Sequence, residues 1–592
     1  MTELFEPVDG QDRRLVLGGA RDPLAAFNAA GVLTSADVHV ARTLGRLGEE
    51  PDVDVLLAVA LAVRAVRFGS VCLDLGAVAA AVEASFAEGA APTRGGLTWP
   101  DAGAWRQAVA ASPLVARGVL HLEDDLLYLD RYHAQELQVR DDLAVRLAAA
   151  PPPYDDSVLA AGAHRVFPGE GYAEQRAAAE SAVRGWTTVL TGGPGTGKTT
   201  TVAGLLALLV EQAEVRGERL RVGLAAPTAK AAARLREAID EAAATLPAED
   251  RARVADLEAA TLHRLLGSRP DNRTRFRHHR GNRLPHDVVL VDETSMMPLT
   301  LTARLLEAVR PDARLVLVGD PDQLASVEAG VVLADLVAGL ATHPSSPVVA
   351  LRTVHRYGEG IGALAAALRS GDADAVLEVL RSGREDVVFH ETTNPVEVLR
   401  PDCEATALAL RAAAEAGDVA GSLAALDDHR LLCAHRDGPA GVRHWNRLVE
   451  QWLAEATGEH LGRSYVGRPL LVTANDYALG VLNGDTGVVV RTPAGPRAHI
   501  TAPGRDYAPA RLGDVDTLHA MTIHKSQGSQ VARVSVLLPP EDSLLLTREL
   551  FYTAVTRARR RVTVVGTEQA VRTAVDRRVQ RASGLRERLR RS

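Results

Sequence analysis

Apolar positions follow two regimes along this chain. Through the first 150 residues they recur at helical spacing, as at Leu57, Val59, Ala60 and Val63, and again at Leu126, Leu127, Tyr128 and Leu129 near Tyr132. This predicts a mostly helical domain over 1–150, closed by the stiff linker Pro151-Pro152-Pro153. Beyond it, short β-branched runs at 187–190, 222–226, 288–291, 315–318 and 348–351 alternate with Ala-rich helical stretches. Unbroken apolar runs of that length suit strands covered on both faces, so βαβ units and a parallel sheet are predicted. A second set at 431–433, 531–538 and 562–565 predicts another α/β domain. Between its parts, 488–490, the Pro/Gly-rich stretch 493–509 and 518–523 read as a small β insertion. No fixed-period repeat occurs.

Composition narrows the class. A chain of 592 residues with 46% hydrophobic and 24% charged residues and mean hydropathy −0.02 has the balance of a folded globular protein. Its length leaves room for about three to four domains. The longest apolar stretch, 55–63, is bounded by Asp54 and Arg64, short of the roughly 20 residues of a membrane span. No membrane association is expected, and without a basic, apolar leader at Met1 the expected location is cytoplasmic. Cys72, Cys403 and Cys433 are odd in number and lack C-x-x-C spacing, so they read as core thiols.

The net charge of −8 is unevenly placed. Residues 1–150 hold 21 acidic against 13 basic residues, while the remainder holds 54 of each. The first segment is therefore a poor phosphate binder and a better candidate for docking a protein partner. Only three of the 67 basic residues are lysine, namely Lys198, Lys230 and Lys525. A chain so biased to arginine keeps lysine where a compact ammonium is required and a planar fork will not serve.

Each of the three sits in a motif. The strand at 187–190 runs into Gly192, Gly193, Pro194, Gly195, Thr196, Gly197, Lys198, Thr199 and Thr200, which is G-x-x-x-x-G-K-[ST] between a strand and a helix. Such a loop cradles nucleotide phosphates on its N–H groups; Lys198 would reach the β/γ-phosphates and the Thr199 hydroxyl would bind Mg²⁺. ATP with Mg²⁺ is the expected pair. The run 288–291 ends in Asp292 and Glu293, with Asp292 expected to complete the magnesium shell and Glu293 to orient or deprotonate water. The next buried run delivers Gln323, an uncharged amide suited to sensing the γ-phosphate.

The order Gln175, Gly192 to Thr199, Ala226-Pro227-Thr228-Ala229-Lys230, Asp292-Glu293-Thr294-Ser295, Gly319 to Gln323, Val354-His355-Arg356-Tyr357, Thr522 to Gly528 and Tyr552 to Ala558 resembles the helicase motif series of superfamily 1. The closest resemblance is to the RecD family, the alpha subunits of exodeoxyribonuclease V, on the 5′→3′ branch. It implies two RecA-like domains, at 160–345 and 346–592, the first with a basic pin-like insertion at about 267–286 and the second with a small SH3-like β insertion at about 485–520. Gln175 resembles the glutamine that recognises adenine. Arg356 and Arg557 resemble arginines that reach the γ-phosphate from the second domain, which couples hydrolysis to closure of the cleft.

Nucleic-acid contacts fall on loops at the strand ends. Thr228, Lys230, Thr261 and His263 from the first domain, and Thr522, His524, Lys525 and Gln527 from the second, offer hydroxyls, amides and ammoniums suited to phosphates. With aromatics at 4%, stacking should be sparse. Alternation around Phe276, with Arg275 and Arg277 flanking it and Gly281-Asn282 beneath, predicts a basic hairpin or loop. The arginine-rich tail from Arg577 to Arg591 is expected to face DNA or another subunit. The reading is thus an ATP-dependent 5′→3′ DNA helicase acting on single strands and duplex ends, as the alpha subunit beside beta and gamma subunits of a helicase–nuclease in double-strand-break repair. A stand-alone helicase of the same branch and a nucleotide-gated DNA-binding subunit with little motor activity are the alternatives.

Overall fold

The computed structural model describes residues 14–16, 22–84, 97–269, 272–353, 358–476, 478–501 and 504–591. Val288–Val291 shows why the core forms where it does: four consecutive apolar residues, three of them β-branched, are all buried, as strands flanked by helices on both faces demand. It is one of six parallel strands ordered Val348–Leu351, Thr187–Gly192, Arg314–Gly319, Val288–Val291, Val222–Ala226 and Ala259–Thr261. Gly319 pairs with Thr191 and Leu351 with Gly192, so these strands finish along one carboxyl edge. In open parallel sheets that edge is where ligands bind.

A second sheet has five parallel strands in the order Val387–Glu391, Ala558–Gly566, Val531–Leu537, His429–Cys433 and Ala520–Thr522. Inserted in it is an antiparallel sheet ordered Arg505–Tyr507, Gly495–Ile500, Thr486–Thr492, Pro469–Val472 and Val515–Thr517, with its own core of Leu470, Val489, Ala498 and Ile500. The segment 518–523, expected inside this insertion, instead returns to the larger sheet as its edge strand beside His429–Cys433. Ala520 and Met521 are buried there; an apolar run of that length serves either sheet equally well.

The amino-terminal unit packs the helices Pro23–Ala29, Ser35–Gly48, Val53–Arg67 and Ala102–Ala111 around Leu57, Leu61, Trp105 and Val109. A capping box between Thr34 and Asp37 starts the second of these. Residues 126–129 are not helical as expected: Leu126–Leu129 is the central strand of a three-stranded antiparallel sheet, and the helix Asp130–Ala148 begins only after it. Four consecutive apolar residues carry no period, so helical spacing could not be read from them. That helix leaves the unit and lies on the first sheet's layer. Buried Arg146 donates to Trp186 O and Ala313 O, both at 2.6 Å, and to Thr187 Oγ1 at 2.8 Å.

The carboxyl-terminal tail is partly built into the fold. It runs without regular structure through 577–584 and ends in the helix Leu585–Arg590, whose Leu585 and Leu589 are buried in the core that contains Leu336 and Leu340 of the first lobe. Three of its arginines bind the chain's own residues, Arg588 pairing with Glu136 and Glu123, Arg577 donating to Ser543 O and Arg581 to Ser326 O, while Arg578, Arg586, Arg590 and Arg591 are exposed. The three cysteines are buried free thiols, as expected.

Candidate functional site

The strand Thr187–Gly192 releases the chain into the Gly192–Thr199 loop at the carboxyl edge of the first sheet, and the helix Lys198–Val215 begins there. Gly195 and Gly197 adopt φ of +79° and +84°, the left-handed region that lets successive N–H groups converge on an anion. Gly192 and Gly193 are needed for closeness: a Cβ on Gly192 would lie 2.5 Å from Thr196 Oγ1, and one on Gly193 would lie 3.0 Å from Tyr552 Oη. Pro194 stands between Gly193 and Gly195. Lys198 Nζ donates to the loop's own carbonyls, Gly192 O at 2.6 Å and Gly193 O at 3.0 Å, which stations it over the cradle. Thr199 and Thr200 fall in the first turn of the helix. Gln175, on the helix Ala173–Arg184, is buried against the loop and donates to Thr196 O at 3.2 Å.

Asp292 and Glu293 follow Val288–Val291. Glu293 N donates to Asp292 Oδ1 at 2.8 Å, and Glu293 holds φ at +52°. A non-glycine residue there is uncommon and costs of order 1–3 kcal/mol, strain of the kind that collects at functional sites. Burial, then the neighbouring Glu293, push the Asp292 carboxyl up to about 6, with Lys198 opposing them. This acidic pair is short of positive charge. Among the described residues no cluster of three or more His, Cys, Asp or Glu could hold a metal by itself. Magnesium does not require one, since it is usually bound by one or two carboxylates plus substrate phosphates. Thr199 and Asp292 fit that pattern.

Gln323 forms the seam between lobes. It is buried, donates to Asp320 Oδ2 at 3.0 Å, and accepts from Arg557 Nη2 at 3.1 Å. Arg557 is 4% exposed and also donates to Thr553 O, Ser529 O and Thr556 Oγ1. Further bonds join the lobes at the same place: Tyr552 Oη to Asp320 Oδ2 at 3.0 Å, Leu324 N to Thr553 Oγ1 at 2.9 Å, and Gln527 Nε2 to Leu324 O at 2.8 Å. Sequence reasoning missed three participants. Tyr552 and Asp320 lay inside quoted motifs without a role, and Arg369, whose Nη1 would be 3.7 Å from a Cβ on Gly193, lies in the helix Glu359–Ser370 outside any motif. Asp322 is pushed up to about 6 by burial and by Asp320. Arg356 lies outside the described residues.

The strand contacts expected on loops lie mostly at strand ends or in the first turns after them: Thr261 and Thr522 end strands, Lys230 and His263 begin the helices Ala229–Ala243 and Leu262–Leu266, and His524 and Lys525 form a single helical turn. Thr228 caps the helix Ala229–Ala243 through Ala231 N, and Thr261 caps Leu262–Leu266 through Arg264 N. His263 is exposed and meets Phe276 edge-on at 5.6 Å. Lys230 reaches across to the second lobe, within 3.9 Å of a Cβ on Gly484; burial, then Arg430, lower its ammonium to about 8. In the basic segment Asn272–Phe276 pairs antiparallel with Ser268–Arg269, the residues before it, and not across Gly281-Asn282. Gly281-Asn282 closes a separate tight turn, His279 to Asn282, tied to the helix Asp130–Ala148 by Arg280 and Asp142 at 2.8 Å. Arg275 and Arg277 are exposed on this element. From the second lobe, Thr522 and Lys525 line a cavity of about 640 Å³ together with Arg436, Arg443, Arg447 and Arg468, beside the small β insertion. His524 stands next in the turn His524–Ser526, its imidazole lowered to about 4, mainly by burial.

Comparison with known proteins adds the following. Residues 29–128 match the family described as the RecBCD enzyme subunit RecD, N-terminal domain; 175–329 match the AAA domain; and 517–565 match the UvrD-like helicase C-terminal domain. The chain is 60% identical to the RecBCD enzyme subunit RecD of Mycolicibacterium smegmatis, over 96% of this chain and 99% of that protein. It is 59% identical to the protein of the same name from Mycobacterium tuberculosis, over 95% and 96%. The ATP-dependent RecD2 DNA helicase of Deinococcus radiodurans is 32% identical, over 81% of this chain and 61% of its own length.

Proposed function

Because this chain belongs to the RecD family of RecBCD enzyme subunits, we propose that it is the ATP-driven 5′→3′ motor of such a helicase–nuclease, moving on single-stranded DNA and opening duplex ends beside beta and gamma partner subunits. The observation that carries this reading is the gathering, beyond the carboxyl edge of the first sheet, of a phosphate-binding loop touched by Tyr552 of the second lobe, a strained Asp-Glu pair and a Gln323–Arg557 contact between the lobes.

The chemistry follows from that arrangement. The loop amides and Lys198 would take the β- and γ-phosphates, with Lys198 exchanging the Gly192 and Gly193 carbonyls for phosphate oxygens. Gln175, already against the loop, would present its amide to adenine. Thr199 and Asp292 would hold Mg²⁺, which neutralises phosphate charge when bound. Glu293 would orient water for in-line attack. To reach phosphate Arg557 would give up its bond to Gln323, so presence or loss of the γ-phosphate would be read out as a change in the contact between lobes. Arg369 has a similar vantage, and Arg356 is expected to contribute alongside it.

Movement would then be transmitted to a strand held by Thr228, Lys230, Thr261 and His263 on one lobe and by Thr522, His524, Lys525 and Gln527 on the other. The cavity of four arginines would extend that track, while Arg275 and Arg277 would face the junction. The test is a strand-displacement assay on 5′- and 3′-tailed duplexes with the full chain and its Lys198→Gln variant. The expected result is displacement of the 5′-tailed duplex only and loss of both displacement and DNA-stimulated ATPase in the variant. ATPase unchanged in Lys198→Gln would overturn the site assignment, and preference for a 3′ tail would overturn the polarity.

A further inference from the structure

Three distant segments meet behind the sensor strand. The first is the turn that carries Gln323 onward, where Ser326 N donates to Ser295 O at 3.1 Å and Gly330 N donates to Gly69 O at 2.9 Å. The second is the end of the amino-terminal unit's helix Val53–Arg67 and the residues after it. The third is the tail. Val71 N donates to Ala582 O at 2.8 Å, and Ala582 N donates to Ser70 Oγ at 3.2 Å, so the tail is fixed to the amino-terminal unit through both the N–H and the carbonyl of one residue.

Arg581 stands at the crossing. Its Nη1 donates to Ser326 O at 2.5 Å and lies 3.3 Å from Glu328 O and 3.5 Å from Gly330 O, so a single guanidinium gathers three carbonyls of the sensor turn. Gly69 leaves it the space. That residue holds φ at +88°, and a Cβ there would fall 2.6 Å from Arg581 Cζ. The next residues are anchored firmly: Ser583 Oγ and Gly584 N both donate to Glu136 Oε1, at 2.9 and 3.1 Å, and Glu136 is wholly buried. Upstream the tail is rooted in the second lobe, where Val579 N donates to Glu549 Oε2 at 3.0 Å. The unstructured span 577–584 therefore bridges the two lobes, and Arg581 is the point at which it grips the loop behind Gln323.

We propose that Arg581 is a positioning residue for Gln323, and that through it the seating of the amino-terminal unit sets how the sensor glutamine engages Arg557. A unit disposed to bind a partner subunit thereby gains a direct mechanical connection to the γ-phosphate sensor, since displacement of Gly69–Val71 moves Arg581 and the turn together. The inference rests on reading Gln323 as that sensor.

The test is a double-mutant cycle on the full chain, following DNA-stimulated ATPase as kcat and KM separately, for Arg581→Ala, Gln323→Ala and the pair. Arg581→Ala should lower kcat about tenfold with the ATP KM within about twofold, the mark of an interaction made in the reacting state. The pair should be no worse than Gln323→Ala alone. Arg581→Lys should recover part of the lost kcat, because the three carbonyls converge on the one nitrogen Nη1 and an ammonium carries three N–H donors on a single nitrogen. Gly69→Ala keeps Arg581 but crowds it, and should reproduce the kcat loss if Arg581→Ala proves too unstable to assay. Multiplicative losses in the pair would overturn the proposal while sparing the sensor reading. An unimpaired Gln323→Ala would overturn both.

Discussion

Tyr552→Phe removes one oxygen and nothing else from the seam between the lobes. The ring is 1% exposed and its environment is preserved, so the change isolates the bond from Tyr552 Oη to Asp320 Oδ2 at 3.0 Å. Burial, reinforced by Asp320, raises the phenol well above its ordinary value, so it donates throughout the working pH range. A hydrogen bond to a charged group contributes about 1.5–3 kcal/mol. Asp320 retains Gln323 Nε2 at 3.0 Å and Asp322 N at 3.1 Å, so the loss belongs near the lower end. About 1.5 kcal/mol corresponds to a roughly tenfold smaller population of closed lobes, and hence a roughly tenfold lower kcat for DNA-stimulated ATP hydrolysis. Nucleotide held by the first lobe alone does not depend on this bond. A fluorescent nucleotide should therefore bind within about twofold of the parent, and the kcat deficit should stay constant from about pH 6 to 9. A Tyr552→Phe enzyme with undiminished kcat, or one whose defect lies wholly in nucleotide affinity, would refute the assignment of this bond to closure.

Other consequences can be measured separately. Because the Lys230 ammonium is lowered to about 8, it loses its charge as pH rises through that value; affinity for a labelled oligonucleotide should fall between pH 7 and 9, and Lys230→Arg should abolish the fall. The logarithmic salt slope of the parent should shrink by about 0.7 over the same interval, the value of one phosphate contact on a single strand. Replacing both Arg443 and Arg447 by Glu in the second-lobe cavity should weaken strand binding and reduce that slope by about 1.4, with the ATP KM unchanged. Glu136→Ala leaves Arg588 with Glu123 as its remaining acidic partner and removes the anchor of Ser583 and Gly584; losing one partner of a buried pair costs about 3 kcal/mol or more, so tryptic cleavage in 577–588 should accelerate roughly a hundredfold.

The parts of this protein that were legible beforehand share one property: their chemistry is local in sequence. The phosphate loop declares itself because glycines, lysine and hydroxyl must be contiguous to make an anion nest. Val288–Val291 and the run at 315–318 were readable as strands because burial on both faces leaves no room for a polar residue. Local reading failed where a run had no period, as at Leu126–Leu129, or where two sheets competed for it, as at 518–523. It could not reach the roles of Tyr552, Arg369 or Arg581, each defined by a partner far along the chain. The arginine-rich tail is the clearest instance. Read alone it suggests a surface for an outside polyanion, yet Glu136 and Glu123, which neutralise Arg588, lie in the acidic first segment.

The helix Leu585–Arg590 fits so closely beside Val332–Leu340 that a Cβ on Gly339 would lie 2.8 Å from Leu589 Cβ. During synthesis on the ribosome, the groove around Gly339 emerges long before the helix that fills it. The nascent first lobe thus carries an open apolar slot while the whole second lobe is still being made, and only the arrival of Leu585 and Leu589 seals it. Vectorial folding of this motor therefore ends where its oldest half has been waiting, and a ribosome stalled within the second lobe would leave that slot available to a chaperone.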